Sequence, residues 1–407
     1  MSNKINLKSF RISRVGLFSC IGFILLSYLA RFVLPRGDEP DWGYRSKILA
    51  DGEGSLFSPY THFQTLVDRI DTNSFLCEGS SNLMLLWMHI DSICSDSVSQ
   101  VFFRLSLTIL AVAPVFLLIT FRRHVFYINP DESFLLTSAK SQMEARLNAI
   151  SLSLLFPGMV YYLGLFAEEQ FFISLALMSF AFKDSRILFS IILLILFNID
   201  SGNFIVFAGF FIFQYLFLCF YKRLGAFIFW ILLLVLFLCS FVFGFSLVDY
   251  IGLGAILEYI IPGSGDKILS ISKVLIDEGL VDKYPLYLRP VITFMSFVLF
   301  TPSGIKSIFS FLFVAALLIV GITIYLRKYK YLHPVARLDG IKFFILPIFY
   351  VTFIVILIPN YANAKYYMFI LPMIIYSLLH VFRVHSLLFV FFGLSFFTFG
   401  SVSLYYF

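Results

Sequence analysis

Long apolar runs separated by short polar interruptions make up most of this chain. A helix needs about 20 apolar residues to cross the hydrocarbon core of a membrane. On that measure about eleven segments, within a range of ten to twelve, qualify as spans: 15–33, 103–121, 150–166, 171–182, 187–197, 204–221, 225–245, 307–325, 342–358, 367–382 and 386–405. The pair 171–182 and 187–197 is short and reads equally as two spans or as a re-entrant pair. The apolar stretches 82–90 and 291–300 are too short to cross and fit an interfacial or half-buried position. The predicted fold is an all-α polytopic membrane protein forming one membrane domain over 1–407, with no internal repeat and no separate soluble domain.

The charges orient this body. Lys4, Lys8, Arg11 and Arg14 precede the first span and place the N-terminus inside. That span resembles a signal peptide, but Arg31 and Phe32 stand where a small-residue cleavage site would be, so an uncleaved helix is expected. Alternating from there, segments placed inside hold 18 of the 30 Lys and Arg residues and 5 of the 24 acids. Basic pairs close several spans on the inner side: Arg122–Arg123, Lys222–Arg223 and Arg327–Lys328. The two long connections, 34–102 and 246–306, then lie outside, where long loops commonly carry function.

Composition narrows the class. With 60% hydrophobic and 13% charged residues, the chain is excluded from soluble enzymes, nucleic-acid binders and disordered scaffolds. The net charge of +6 follows from the inside–outside bias and needs no polyanionic partner. Cys20, Cys219 and Cys239 fall within spans as small apolar fillers. Cys77 and Cys94 share the first outer loop, where they either pair or remain free thiols.

Candidate chemistry concentrates on the outer side. The first span is followed by Leu34-Pro35-Arg36-Gly37-Asp38-Glu39-Pro40-Asp41-Trp42, whose prolines and glycine stop the helix. Its carboxylates can take a proton from a hydroxyl or hold a divalent cation, although a solvated acidic loop has the same appearance. A second acidic pair, Glu168–Glu169, sits in a very short outer turn between two apolar spans. Ionised carboxylates there are costly unless they face a wet cavity, meet a partner or reach the interface. Arg36, Arg45, Lys47, Arg289 and Lys365 are the cations that can complete such a site. Lys365, flanked by tyrosines, suits a lipid phosphate and equally suits an interfacial anchor.

These features together resemble the GT-C superfamily of integral-membrane glycosyltransferases. The likeness rests on Asp38–Glu39 opening the first outer loop, on Glu168–Glu169 in the second, and on Lys365-Tyr366-Tyr367 before Leu371-Pro372. The resemblance implies a sugar donor carried on a polyprenyl phosphate or diphosphate, a surface-glycan acceptor, and a site facing outward from a bacterial inner membrane. It implies Asp38 as general base with Glu39 beside it, and Arg36 and Asp41 in support. Glu168 or Glu169 would hold a metal or steer the donor phosphate, while Arg289 and Lys365 would neutralise the leaving phosphate. A divalent cation is the one cofactor it allows. Two departures stand out: no soluble domain follows the last span, and His62 and His89 are isolated. Two other readings remain, a polymerase of lipid-linked repeat units for O-antigen or capsule, and a flippase or transporter of lipid-linked glycans.

Overall fold

A computed structural model describes residues 10–33, 109, 111–123, 133–164, 168–199, 201–243, 288–299, 305–332, 334–357 and 363–406. Among them the order is β1 (Phe10–Ile12), α1 (Arg14–Val33), α2 (Ala111–Thr120), β2 (Phe121–Arg123), α3 (Ser133–Ser153), α4 (Pro157–Gly164), α5 (Glu168–Ala181) and α6 (Arg186–Ile199). Then come α7 (Ser201–Phe243), α8 (Arg289–Ser296), α9 (Ile305–Tyr329), α10 (Pro334–Gly340), a π-helical stretch (Ile341–Ile345), α11 (Leu346–Leu357), a 3-10 helix (Ala364–Ile370), α12 (Leu371–Leu378) and α13 (Val384–Tyr406). The described residues are nearly all helical. Four helices are long and apolar enough to cross a membrane, at Asn203–Val242, Leu312–Tyr329, Ala336–Leu357 and Val384–Val402, or five if one bent pair counts as a span. Length and composition thus fit a helical membrane protein. The chain divides into two compact units, 1–200 with 384–407, and 201–383.

In the first unit, α1 packs on α3, α4 and α13. Ser13 starts α1 by accepting the Gly16 N–H at 3.1 Å, while its own N–H donates to the Thr120 carbonyl at 2.9 Å. β1 and β2 pair antiparallel just outside these helix ends, an element the apolar pattern did not predict. The expected span 150–166 contains a corner: Gln142–Ser153 and Pro157–Gly164 meet at 76°. Pro157 supplies no N–H to continue the ladder, and the chain bridges the break with short-range bonds from Leu155 to Leu152 (3.1 Å) and from Phe156 to Ser153 (3.0 Å). The Ser395 hydroxyl on α13 covers the corner by donating to the Leu155 carbonyl at 2.6 Å.

Helices α5 and α6 are 14 residues each and lie side by side, joined by a turn at 182–185. Buried Arg146 on α3 fastens that turn, donating to the Phe180 carbonyl at 3.5 Å and ion-pairing with Asp184.

In the second unit, α7 runs 43 residues, about 65 Å at 1.5 Å per residue and twice the hydrocarbon thickness. It does not run straight. Gly225 adopts φ 81° and ψ 168°, a conformation open to glycine and costly elsewhere. A straight helix would set residues 221 and 229 about 12 Å apart, yet the Tyr221 and Phe229 rings are 5.1 Å apart. Phe213 and Phe237, from the two halves, both lie against Phe349, at 6.5 and 6.0 Å. The helix therefore folds back at Gly225, at the division between the expected spans 204–221 and 225–245. The span expected at 342–358 begins earlier, at Ala336, and so takes in Asp339, which the sequence placed in an inner connection. Gln214 donates to the Lys342 carbonyl at 2.7 Å, serving the π-helical stretch where the regular ladder shifts.

Candidate functional site

Asp38, Glu39, Arg36 and Asp41 lie outside the described residues, as do Arg45, Lys47, His62, Cys77, His89 and Cys94. Glu168 is described in its backbone only, at the first position of α5. Four expected participants therefore remain to be placed: Glu168, Glu169, Arg289 and Lys365.

Arg289 and Lys365 belong to elements that pack together. Arg289 opens α8, with Pro290 following at the position where a missing N–H costs nothing. α8 rests on α11 and on the 3-10 helix that carries Lys365. The Arg289 side chain is only 6% exposed, and burial pushes its pKa down from the ordinary arginine value, though it stays a cation. Thr293 donates to the Arg289 carbonyl at 2.9 Å and holds the first turn. The Lys365 turn is set by Asn363, whose side-chain oxygen accepts the Lys365 N–H at 3.0 Å. Lys365 Nζ lies 5.4 Å from the Tyr366 ring centre, and Tyr367 and Phe369 anchor the segment inside. Phe369 meets Phe207 and Phe210 of α7 at 4.9 and 5.8 Å. One cation is thus buried and a second half-buried on two adjoining pieces of short helix. Cations so held favour a phosphate, through bidentate hydrogen bonds from arginine and a point charge from lysine.

Glu169 stands in the first unit, 5% exposed in the opening turn of α5. Its neighbour Gln170, which the sequence reading passed over, is fully buried and donates to the Leu163 carbonyl at 3.0 Å. That bond closes the short turn between α4 and α5. The signal was available: Gln170 extends Glu168–Glu169 into three consecutive polar residues between apolar runs.

A second polar group was missed. Asp339 on α10 is buried, accepts the Tyr376 hydroxyl at 3.3 Å, and faces His380 Nε2 at 3.5 Å. Tyr325 of α9 and Ser377 share a hydrogen bond of 2.6 Å beside it. Tyr376 and His380 are spaced four apart, which could have marked a shared face, but both fell inside the expected span 367–382 and were given no role. Among the described residues, no three or more His, Cys, Asp or Glu side chains are grouped so as to hold a metal ion. No family model matches the chain, and no curated protein or solved structure matches it either.

Proposed function

We propose that this chain is an integral-membrane glycosyltransferase that moves a sugar from a polyprenyl-linked carrier to a surface glycan. The observation that carries the reading is buried Arg289 on a helix packed against the turn bearing Lys365. A guanidinium and an ammonium on adjoining elements are suited to a lipid phosphate that gains charge as it leaves. The acidic motif at Asp38–Glu39 and the Glu168–Glu169 turn support the same chemistry from the sequence side.

In this proposal about eleven apolar segments cross the membrane, the N-terminus is inside, and the cations face outward from a bacterial inner membrane. The charge count on alternate loops supports that orientation. The reaction is a single displacement. Asp38 takes the proton from the acceptor hydroxyl, whose oxygen bonds to the anomeric carbon as the bond to the donor phosphate breaks. Arg289 and Lys365 receive the phosphate. Glu169, with Glu168, steers the donor or holds a divalent cation, the latter requiring further ligands from outside the described residues.

The test is the surface-polysaccharide profile, by gel, of a deletion strain complemented with wild type, Asp38→Asn or Arg289→Gln. Both variants are expected to insert in the membrane and to fail to restore the profile. Full restoration by both would remove the proposed chemistry and favour a transporter. A second reading, repeat-unit polymerase, shares Arg289 in the late connection. It is distinguished by a ladder collapsed to single units, whereas a decorating transferase leaves ladder length intact.

A further inference from the structure

Helix α9 has the least protein cover of the four candidate spans. Only 11% of its apolar window is buried, against 17 to 61% for the others. Two neighbouring rows of its surface are open over its last three turns. Ile319, Thr323, Leu326 and Lys330 follow one another at helical spacing, and Val320, Ile324, Arg327 and Tyr331 form the next row; all eight are exposed. Thr323 donates its hydroxyl to the Ile319 carbonyl at 2.7 Å, so the first row stays apolar until Lys330. Leu312 and Phe313 are exposed as well. From Leu312 to Leu326 the open surface runs about 21 Å at 1.5 Å per residue. That exceeds the length of one acyl leaflet, about 15 Å.

Both rows end in charge. Arg327 and Lys328 occupy the last turn of α9 and Lys330 follows it. Arg337 joins them from α10. Its guanidinium donates through Nε to the Leu332 carbonyl and through Nη2 to the Lys330 carbonyl, both at 2.8 Å. In return, the Tyr329 hydroxyl donates to the Arg337 carbonyl at 2.8 Å. These bonds hold the Arg337 cation against the turn that carries Lys330. Lys330 Nζ lies 4.8 Å from the centre of the Tyr331 ring, which is 78% exposed. Among the described residues, none of these four cations has an acidic partner. Like charges gathered on one turn repel one another, and an anion shared between them relieves the repulsion.

We propose that this end of α9 binds an anionic phospholipid, with an acyl chain along Ile319, Val320, Ile324 and Leu326 and the headgroup phosphate at Arg327, Lys330 and Arg337. An exposed aromatic ring with a polar tip, set between apolar rows and cations, suits the headgroup level. Basic residues clustered at the end of a membrane helix attract anionic lipid, and a phosphate accepts several charge-assisted hydrogen bonds at once. A free phosphate ion would use the cations alone and leave the apolar rows uncovered. Such a site requires α9 to lie in a membrane and is independent of the sugar-transfer reading.

The experiment uses the full chain purified in a neutral detergent. Phosphatidylglycerol, phosphatidylcholine and inorganic phosphate are titrated separately, with retained lipid read by native mass spectrometry and the melting midpoint alongside. Wild type is expected to hold phosphatidylglycerol about tenfold more tightly than Arg327→Gln/Lys330→Gln, with the gap narrowing at high salt. Arg337 is left intact because its bonds shape the turn. Arg14→Gln/Arg186→Gln, which removes two exposed arginines of the first unit, is expected to bind like wild type. An equal loss in that variant would make retention a matter of overall charge and overturn the site. Equal phosphatidylglycerol affinity in wild type and Arg327→Gln/Lys330→Gln would overturn it too, as would equal affinity for phosphatidylcholine. A midpoint shift reproduced by inorganic phosphate would replace the lipid with a free anion, with the same adverse meaning. Should the double variant not fold, Arg327→Gln alone is expected to bind about fivefold more weakly; unchanged binding there also overturns the proposal.

Discussion

Around α1, the helices of the first unit close on one another at small residues, with isolated ring pairs such as Phe18–Phe392 and Phe23–Phe116 beside them, whereas those of the second unit meet through a continuous set of aromatic rings. A Cβ on Gly16 would stand 2.2 Å from the Ile119 oxygen, one on Gly22 would stand 2.7 Å from Leu155 Cδ2, and one on Gly164 would touch Ser27. Serines fill the same region and return their hydroxyls to nearby carbonyls, Ser151 to Leu147 at 2.7 Å and Ser153 to Ile150 at 2.8 Å. In the second unit Phe207, Phe210, Phe213, Phe217, Phe229 and Tyr350 interlock along α7 and α11, mostly edge to face. Lipid is as apolar as leucine, so neither unit gains much from hiding hydrocarbon; each relies on contact quality. Small residues supply it by letting backbones approach. Rings supply it by area and by quadrupole geometry. The first solution has no room to give, and the second has many partially redundant contacts.

The largest effect is therefore expected at Gly16. Gly16→Val forces a branched side chain into a backbone oxygen, which no rotamer can relieve. A loss of about 3 kcal/mol is expected, near the upper end for overpacking. The check is the yield of monodisperse protein and its melting midpoint. A midpoint within a degree or two of wild type would show that α1 and α2 do not approach this closely.

Next comes a pair inside the aromatic unit that borrows the other unit's logic. Tyr350 donates its hydroxyl to the Val206 carbonyl at 2.7 Å, and a Cβ on Gly209 would lie 2.8 Å from the Tyr350 hydroxyl oxygen. Gly209→Ala is expected to cost about 2 kcal/mol, and Tyr350→Phe about 1 kcal/mol from the lost bond. With the hydroxyl gone, the nearest ring carbon stands 3.9 Å from the new methyl. The double variant should then recover at least about 0.5 kcal/mol against the sum of the singles. Strict additivity, read from midpoints of all four proteins, would mean that Tyr350 does not cover Gly209.

Gly225 follows. Nothing lies within 4 Å of where its Cβ would be, so Gly225→Ala meets no neighbour and pays only for φ 81°. About 1–2 kcal/mol is expected, with the fold intact. Failure of Cys substitutions at 217 and 229 to crosslink in that variant, where they do crosslink with Gly225 intact, would show instead that the helix has straightened.

These sites indicate what the sequence could and could not reveal. Hydropathy marked the helices of the second unit because their apolar runs are long, and the break at Gly225 was visible from the adjacent Lys222 and Arg223. Pro157 was visible too, but an apolar run continues through it, and hydropathy cannot register a 76° corner. The ribbon was invisible because its pairing is set by residues about a hundred apart, and each strand is three residues long. For the candidate site, a charge in a short turn between two apolar runs singled out Lys365. The burial of Arg289 depends on α8 packing against elements more than fifty residues later in sequence, which no local pattern encodes. Asp339 was passed over for a related reason: its partners Tyr376 and His380 lie about forty residues later, beyond any local pattern.

The smallest effect tests redundancy directly. Phe213 touches Phe217 at 4.5 Å, Tyr350 at 5.4 Å, and Phe353 and Phe349 at 6.4 and 6.5 Å between ring centres. Phe213→Leu keeps most of the volume and removes one ring from a set whose other members still touch one another. About 1 kcal/mol or less is expected, a shift of a few degrees at most in the melting midpoint. A loss as large as that at Gly16 would mean that the rings act as a single interlocked unit. The contrast would then lie in how each unit holds its helices together and no longer in how much error each tolerates.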